Sequence, residues 1–405
     1  MVLTDKQQAK QFIEDNNIRD IDALNQMLKN ISGVFIEQVL EAEQDEHLGY
    51  EKYERTEEPK TNTRNGHAKK KVRGVNGQME LFIPRDRDGT FEPQIVKKHQ
   101  TDITEVEDKV ISMYAKGMTT RDIQSHLFDI YGAEVSPTTV SNMTARVQPL
   151  VEEWRTRPLQ SIYAIIYIDG IRYKVRADGR IKEKCVYGVM GVDIEGHKEM
   201  LGLWIFDAEG AKSWLSVLTE LKNRGVKDIL ILTSDGLTGI EDAVEAAFPD
   251  AAYQGCVVHV IRNSVKYVGH KHKKEFCADL KQIYNAPTEE AALMAFEGLS
   301  EKWRNQYALA VDVWERNWDR ISTMFEFTPE IRTLIYTTNP IESFHRQLRK
   351  VTKNRGVFPD DNSVLKLLYL ATQEVTKKWT MALRGWNQIL AQLAIHFGER
   401  VERYL

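Results

Sequence analysis

The chain has only three cysteines in 405 residues, Cys185, Cys256 and Cys277. That is too few for a disulfide-stabilised scaffold, so we expect a reducing, intracellular compartment. Long apolar runs are also missing, because no stretch approaches the roughly 20 apolar residues that a membrane span needs. Charged residues within the first twenty positions leave no signal-peptide core.

The remaining composition is that of an ordinary globular protein, with 42% hydrophobic and 28% charged residues. Such a balance excludes a disordered chain and a collagen-like one. The length is more than one small hydrophobic core needs, so two or more domains are expected.

The net charge of −4 is unevenly distributed. Residues 1–59 hold fourteen acidic and six basic residues, whereas residues 60–100 hold ten basic and four acidic ones. A basic segment within an acidic protein is typical of a local contact with a polyanion. A solvated charged surface explains the same charge pattern.

The segment that follows the acidic, helical N-terminal region is rich in Gly, Pro and Asn between short strand-like runs, which predicts a small basic β-element or an extended arm. Residues 103–148 predict helices separated by the turn "YGAEV", with Ser136 capping the second helix and Pro137 at its first position. Its short polar side chains favour a helix-turn-helix that reads a major groove. A plain helical hairpin is the alternative.

From residue 161 the chain predicts the order β-β-β-α-β-α-β, with the run "AAYQGCVVHV" as the last strand, and thus a mixed sheet flanked by helices. Asp169 ends the first strand and Asp235 ends the strand after the crossover helix. In a sheet of this order these two strands are neighbours, so both carboxylates are expected at one edge, where hard cations such as Mg²⁺ find oxygen ligands. A common Asp-Gly turn explains each aspartate singly.

Glu342 is the expected third acid, on a helix with Asn339 as cap and Pro340 at its first position. A capping box explains its position equally well. Arg346, Arg349 and Lys353 follow on the same helical face, which suits a helix lying along a phosphate backbone. An ion pair between Glu342 and Arg346 on a solvated face is the alternative.

Eight sequence blocks in order resemble the mutator-type transposases of bacterial insertion sequences. They are "DEHLGYEKYER", "RNGHAKKKVRG", "IPRDRDGTFEP", "GMTTRDI", "YIDGIRYKVR", "TSDGLTGI", "CVVHVIRN" and "TTNPIESFHRQLRKVTK". The resemblance implies a ribonuclease-H-like α/β core with an Asp-Asp-Glu triad at Asp169, Asp235 and Glu342. It also matches the family's Cys/Asp-x-x-His motif to Cys256 and His259.

The expected fold is a ribonuclease-H-like mixed five-stranded sheet with helices, interrupted by an all-α insertion and preceded by helical and helix-turn-helix DNA-binding domains. The separation of 107 positions from Asp235 to Glu342 exceeds what a helix, a strand and a connection need, which places the insertion there. The predicted domains are an acidic helical segment at 1–58, a basic arm at 59–102, a helix-turn-helix at 103–150, a first core part at 160–262, the insertion at 263–335 and a second core part at 336–405.

Cys256 and His259 lie near His270, His272 and Cys277, but the spacing does not fit a closed zinc site. A structural pair near the active-site edge, with His259 approaching a phosphate, is the favoured interpretation. In the insertion, Trp303, Trp314 and Trp318 allow stacking on an unpaired base, although tryptophan is more often part of a core.

The resemblance implies a DNA transposase that binds terminal inverted repeats and transfers strands with two Mg²⁺ ions held by the triad, Mn²⁺ being a plausible substitute. Double-stranded DNA is the expected partner, and no membrane is involved. Because two element ends must meet, a homodimer is expected, in a bacterial cytoplasm and associated with the nucleoid. The expected DNA contacts are Arg64, Lys69, Lys70, Lys71, Arg73, Arg85, Arg87, Ser136, Thr138, Thr139, Ser141, Asn142, Arg146, Arg346, Arg349, Lys350 and Lys353.

Two rival functions stay open at this point. A DNA-binding regulator without catalysis would share the basic arm and the helix-turn-helix, but the three acids would have no role in it. A two-carboxylate hydrolase such as a glycosidase would leave the basic arm without a role.

Overall fold

The computed structural model describes residues 21–54, 61–74, 77–94, 96–98, 106–131, 137, 140–141, 144, 147–206 and 208–404. The chain divides into two compact units. Unit 1 comprises Met1–Tyr114 and Met118–Ala145, and unit 2 comprises Ala115–Gly117 and Arg146–Leu405. Among the described residues, no helix combines the length and apolar character needed to cross a membrane.

Unit 1 contains a long helix, a β-hairpin and two shorter helices. The last residue of the first of these shorter helices, Ala115, is assigned to unit 2. Their bounds are α1 (Ile21–Leu48), β1 (Arg64–Gly74), β2 (Gly77–Asp86), α2 (Val106–Ala115) and α3 (Thr120–Tyr131). The basic segment of the sequence thus forms an antiparallel hairpin, paired from Arg64↔Asp86 to Gly74↔Gly77.

Helix α3 begins with a reciprocal cap between Thr119 and Asp122. The Asp122 backbone N–H donates to Thr119 Oγ1 at 3.2 Å, and the Thr119 backbone N–H donates to Asp122 Oδ2 at 3.0 Å. Most of the next predicted helix lies outside the described residues, including Ser136, Thr138, Thr139, Asn142 and Arg146 of the expected DNA contacts. Ser141 is described and exposed.

One face of the hairpin packs on α1 through a small core of Leu40, Val72, Met79, Leu81 and Val96. Alternation along β1 places Lys69, Lys71 and Arg73 on the opposite face. The hairpin therefore has one apolar and one cationic face.

Asp86 organises the loop that leaves the hairpin. Its carboxylate accepts hydrogen bonds from the Asn62 side-chain amide at 2.7 Å, the Thr90 hydroxyl at 2.7 Å, the Thr90 N–H at 2.9 Å and the Phe91 N–H at 3.1 Å. Burial raises the pKa of a carboxyl group, but these donors outweigh it and hold the pKa of Asp86 well below its ordinary value.

We expect Asp86→Asn to loosen this loop. The NH₂ group of asparagine is a donor and would face N–H and O–H groups that are donors themselves, so hydrogen bonds are lost. Amide hydrogen exchange of Thr90 and Phe91 should accelerate at least about tenfold, the equivalent of one hydrogen bond to a charged acceptor. Because the folded-state pKa is lowered, the contribution of Asp86 is fully present above about pH 4 and is lost as the pH falls further. Asp88→Asn, an exposed aspartate in the same loop, is the matched control and should leave exchange unchanged; equal effects of both substitutions would contradict the assignment.

Unit 2 is an α/β structure built on a mixed five-stranded sheet. Its elements to the end of the sheet are α4 (Gln148–Thr156), β3 (Ile162–Ala177), β4 (Arg180–Asp193), β5 (Lys198–Phe206), α5 (Ala211–Asn223), β6 (Asp228–Ser234), α6 (Ile240–Ala247) and β7 (Ala252–Gly255). Those that follow are α7 (Val257–Val265), α8 (Lys273–Tyr284), α9 (Glu289–Ser322), α10 (Pro329–Ile335), α11 (Asn339–Thr352), α12 (Asp361–Thr376), α13 (Trp386–Phe397) and α14 (Glu399–Glu402). Short 3₁₀ turns occupy His270–His272 and Thr323–Glu326.

The strand order is β5-β4-β3-β6-β7. Strands β3, β4 and β5 pair antiparallel, whereas β3–β6 and β6–β7 pair parallel. The predicted order of strands and helices and the mixed sheet are therefore confirmed. Helices α5 and α6 cover one face of the sheet with buried side chains that include Trp214, Leu218, Ile240 and Val244.

The prediction that the first strand ends at Asp169 is wrong, because β3 continues through the Asp-Gly pair to Ala177. Gly170 is not in a turn. A Cβ at this position would lie 2.6 Å from Cys185 Sγ and 3.0 Å from the Tyr187 ring on the paired strand. Glycine is needed there for close packing rather than for chain reversal.

The run "AAYQGCVVHV" was predicted as one strand, but only Ala252–Gly255 is a strand, and α7 begins at Val257. Its neighbour β6 ends at Ser234, which pairs with Gly255, so the next residues have no ladder to join. The Cys256 N–H makes a last hydrogen bond to the Ser234 carbonyl at 2.8 Å, and the chain then turns into the helix.

Between α7 and α11 every regular element is a helix, in a span the structure describes in full. Three indoles there donate to nearby side chains: Trp303 to Asp279 at 2.7 Å, Trp314 to Ser264 at 3.1 Å and Trp318 to Glu289 at 3.1 Å. Trp303 and Trp314 are buried. These contacts give the tryptophans a packing role in this region.

Candidate active site

The parallel pairing of β3 with β6 brings Asp169 and Asp235 together. Its last matched residues are Ile168 and Ser234, so the two aspartates are the next residues on neighbouring strands. Hydrophobic residues fill both strands up to this point, which fixes their register. Two residues 66 positions apart in the chain are thereby placed side by side at the end of the parallel ladder.

Asp169 is only 6% exposed, and Asp235 Oδ1 is buried with no hydrogen-bond partner among the residues that the structure describes. Burial, and then the charge of Asp169, raise the pKa of Asp235 to about 7. Two carboxylates held this close repel each other, and that cost is removed by a shared cation.

His259 completes a group of three. One ligand atom from each of Asp169, Asp235 and His259 lies within 4.8 Å of the other two. Hydrogen bonding to Cys256 raises the pKa of His259. Carboxylate oxygens and an imidazole nitrogen are suitable donors for a divalent cation.

Glu342 lies beside this group but is paired with another residue. Arg262 on α7 reaches it with both terminal nitrogens, Nη1 to Oε1 at 2.5 Å and Nη2 to Oε2 at 3.2 Å. Glu342 Oε1 is also 3.6 Å from His259 Nε2. The Arg262 guanidinium lowers the pKa of Glu342, so the carboxylate stays ionised.

Buried polar contacts position α11, the helix that carries Glu342. Tyr167 on β3 donates to the Leu334 carbonyl at 3.1 Å, and Thr233 on β6 donates to the Ile335 carbonyl at 3.1 Å. The segment preceding α11 is thus hydrogen-bonded to the same two strands that carry Asp169 and Asp235.

Cys256 makes a further link to the start of α11. Its Sγ accepts the Thr338 N–H at 3.4 Å and the Thr338 hydroxyl at 3.5 Å. Although burial raises the pKa of a thiol, the contacts with His259 and Thr338 lower the pKa of Cys256. The predicted cap, Asn339, is wrong by one residue, since Thr338 precedes the helix and its carbonyl accepts the Glu342 N–H at 2.9 Å.

The far end of α11 is exposed and basic. Arg346, Arg349, Lys350 and Lys353 are all exposed, whereas Phe344 and Leu348 on the other face are buried. The ion pair of Glu342 is made with Arg262 and not with the neighbour four residues on. The three cations of α11 and Lys353, which directly follows the helix, therefore stand on one solvent-facing side.

The expected cations of the hairpin fall into two groups. Arg64 pairs with Asp45, and Lys70 donates to the carbonyls of Lys97 and Lys98 at 2.6 and 3.0 Å, so both have roles within unit 1. Lys69, Lys71, Arg85 and Arg87 are exposed, and Arg73 is partly buried. Of these, Lys69 also has an ion-pair partner, with its Nζ 3.7 Å from Glu80 Oε1. Lys69 lies 5.4 Å from the centre of the exposed Phe82 ring.

Sequence reasoning missed two residues of the site, Arg262 and His345. Both stand in quoted motifs at helical spacing: Cys256, His259 and Arg262 are three residues apart, as are Glu342 and His345. That spacing places each set on one helix face. The spacing does not tell which helix face contacts the aspartates. The sequence therefore shows that these residues share a face, but not what that face contacts.

Comparison with known proteins gives this site its context. The sequence profile of the family described as "Transposase, Mutator family" matches residues 3–382. The chain belongs to the Mutator family of transposases. A similar protein is a probable transposase for an insertion sequence element, ISRM3-like, of Sinorhizobium fredii, which is 42% identical over 98% of both chains.

Two other relatives extend the comparison. The transposase for insertion sequence element ISRM3 of Rhizobium meliloti is 41% identical over 98% of both chains. The transposase for insertion sequence element IS256 in transposon Tn4001 of Staphylococcus aureus is 26% identical over 92% of this chain and 96% of the relative. The predicted family is thus confirmed over nearly the whole chain.

Proposed function

We propose that the protein is a DNA transposase that binds the terminal inverted repeats of an insertion sequence and cleaves and joins DNA strands. Asp169, Asp235 and Glu342 are the proposed catalytic acids. The observation that carries the proposal is the adjacent pair of Asp169, which is buried, and Asp235, which is partly buried, at the end of the β3–β6 ladder, in a chain of the Mutator family. The strand order 5-4-3-6-7 supports a ribonuclease-H-like core.

The site suits divalent cations. Two carboxylates and an imidazole converge, and one oxygen of Asp235 is buried without a protein donor among the described residues. Asp169, Asp235 and Glu342 are the proposed ligands of two Mg²⁺ ions, with Mn²⁺ as a substitute, and His259 is the neighbouring group. When bound, such ions activate the attacking oxygen and neutralise charge on the leaving oxygen.

The chain's own groups would do the positioning. In the first step a water oxygen forms a bond to a phosphorus at the element end and the bond from that phosphorus to the 3′ oxygen breaks, freeing a 3′-OH. In the second step the 3′-OH attacks another phosphodiester, so one P–O bond replaces another and no oxidant or cofactor energy is needed. In the structure Arg262 contacts both oxygens of Glu342 and lowers its pKa, which favours an ionised carboxylate at the rim of the site.

DNA would be held outside this site by cations. The cationic hairpin face in unit 1 and the exposed basic side of α11 in unit 2 are proposed backbone contacts, which give affinity without reading sequence. Base reading is assigned to the predicted helix at 137–146. Because two ends must be joined, a homodimer is the proposed minimal assembly.

The proposal is tested with the full-length protein and a duplex that carries one end of its element. With Mg²⁺ or Mn²⁺ we expect cleavage at the end of the repeat that leaves a 3′-OH, and with EDTA no cleavage but continued binding. A duplex with a scrambled repeat is the control. End binding without cleavage under any divalent cation would indicate a DNA-binding regulator, and absence of DNA binding would remove the transposase function.

The exposed lysines of the hairpin are expected to contribute to the salt dependence of DNA binding. Lys69→Ala combined with Lys71→Ala should reduce the slope of log K against log salt by about 1.8, because each lost phosphate contact reduces it by about 0.9. The control pair, Lys227→Ala with Lys378→Ala, removes two exposed lysines of unit 2 and should leave the slope unchanged. Fluorescence anisotropy on the end duplex measures both, and equal slopes in all three proteins would exclude the hairpin from the DNA contact.

A further inference from the structure

The carboxylate of Asp169 is held at both oxygens. Oδ1 accepts the backbone N–H of Gly170 at 2.8 Å. Oδ2 lies 3.2 Å from Nδ1 of His345, a histidine that is only 1% exposed. Since an ionised carboxylate only accepts hydrogen bonds, Nδ1 carries the proton of the ring. The two donors fix the plane of the carboxylate and leave lone pairs on both oxygens.

The structure makes room for the imidazole in a specific way. Gly188 on β4 stands opposite Asp169 in the β3–β4 register. A Cβ at Gly188 would lie 3.1 Å from His345 Nε2, closer than side chains normally approach. Nε2 is itself buried and has no hydrogen-bond partner in the described part of the chain. The imidazole ring thus packs against Gly188, the β4 residue paired with Asp169, because glycine has no side chain there.

His345 also shares its helix with the third proposed acid. Glu342 and His345 are one turn apart on α11, where neighbours at this spacing face the same side. One element therefore presents Glu342 and orients Asp169. A shift of α11 would displace both groups together.

We propose that His345 is a positioning residue that sets the orientation of the Asp169 carboxylate for a divalent cation, and that Gly188 is required to leave space for it. The inference rests on the proposed function, because it assumes that Asp169 is a ligand. Histidines and carboxylates that orient ligands in this way change metal affinity by about 10- to 100-fold when they are removed.

The test measures Mn²⁺ binding by the electron paramagnetic resonance signal of free Mn²⁺, with full-length protein and no DNA, and strand cleavage separately. His345→Ala should weaken Mn²⁺ binding by about 10- to 100-fold and reduce cleavage, with end binding in EDTA unchanged. His345→Asn, whose amide N–H replaces the Nδ1 donor, should stay within about threefold of the wild type, the loss expected for one imperfect hydrogen bond.

Gly188→Ala keeps the test independent of the cavity that His345→Ala creates. In the wild-type background it should weaken Mn²⁺ binding in the same direction, because the new methyl displaces the ring. In the His345→Asn background it should have little further effect, since asparagine has no atom at the Nε2 position. Gly298→Ala in α9, where a Cβ meets nothing within 4 Å, is the control and should change neither readout.

The outcomes separate the two proposals. If the wild type neither binds Mn²⁺ nor cleaves the end duplex, the proposed function fails. If the wild type does both and His345→Ala binds Mn²⁺ as tightly as the wild type, the positioning role of His345 is overturned. It is also overturned if Gly188→Ala weakens Mn²⁺ binding equally in the wild-type and His345→Asn backgrounds. The role is supported if His345→Asn keeps most of the Mn²⁺ affinity and the effects of Gly188→Ala and His345→Asn on that affinity are non-additive.

Discussion

Asp235→Asn is expected to reduce strand cleavage about 10³-fold or more while leaving end binding intact, because it removes one of the two adjacent carboxylates on which the proposed reaction depends. Without divalent cation the variant should be at least as heat-stable as the wild type. Burial beside Asp169 disfavours the charge of Asp235, and an amide of the same shape relieves that repulsion. A loss of activity together with an equal or higher Tm would distinguish catalysis from folding.

Asp242→Asn is the matched control for this substitution. Asp242 is an exposed aspartate of α6, seven residues further along the same unit. Cleavage assays on the end duplex and thermal melts in EDTA should show it to be indistinguishable from the wild type. Cleavage by Asp235→Asn within tenfold of the wild type would remove Asp235 from the proposed mechanism.

Trp214→Ala is expected to have the largest effect on stability, lowering the free energy of unfolding by about 3–5 kcal/mol. The indole is fully buried between α5 and the sheet, with ring centroids 4.8 Å from Tyr187 and 5.5 Å from Phe206, both in edge-on geometry. In a unit of this size the change corresponds to a drop in Tm of roughly 10 °C.

Trp214→Phe should be much milder, because the indole N–H is buried without a partner among the described residues and its loss leaves no acceptor unsatisfied. Leu215→Ala, at the adjacent and 40% exposed position, controls for the helix itself. Circular dichroism melts of the full chain measure all three. A Phe substitution as damaging as Ala would mean that the aromatic contacts do not account for the stability.

Much of the sheet was predictable because its information is local. The apolar runs at 162–168 and 228–234 are long enough to specify buried strands, and the amphipathic run between them specifies the crossover helix. The aspartates directly after these runs were found for the same reason. The turn interpretation of Asp169–Gly170 was wrong because Gly170 is required by Cys185 and Tyr187 on another strand, which no local pattern shows.

The start of α7 was misread for a related reason. Val257 and Val258 have high β-propensity, but the ladder that would have used it ends at Ser234 and Gly255. A high β-propensity does not produce a strand when no neighbouring strand is available to complete the backbone hydrogen bonds. The consequence matters for the site, because the helix that begins there presents His259 and Arg262.

The sequence alone determined the family and the order of strands and helices, because motifs and hydrophobic period are properties of neighbouring residues. It also predicted the three acids of the proposed chemistry, which stay a prediction. The tertiary structure decided how those acids are held. Arg262 meets Glu342 across 80 positions and His345 meets Asp169 across 176, and both pairs arise from the way α7 and α11 pack against one end of the β3–β6 ladder. Contacts of that kind depend on which helix face is turned inward, and this is settled only when the whole core closes around the sheet.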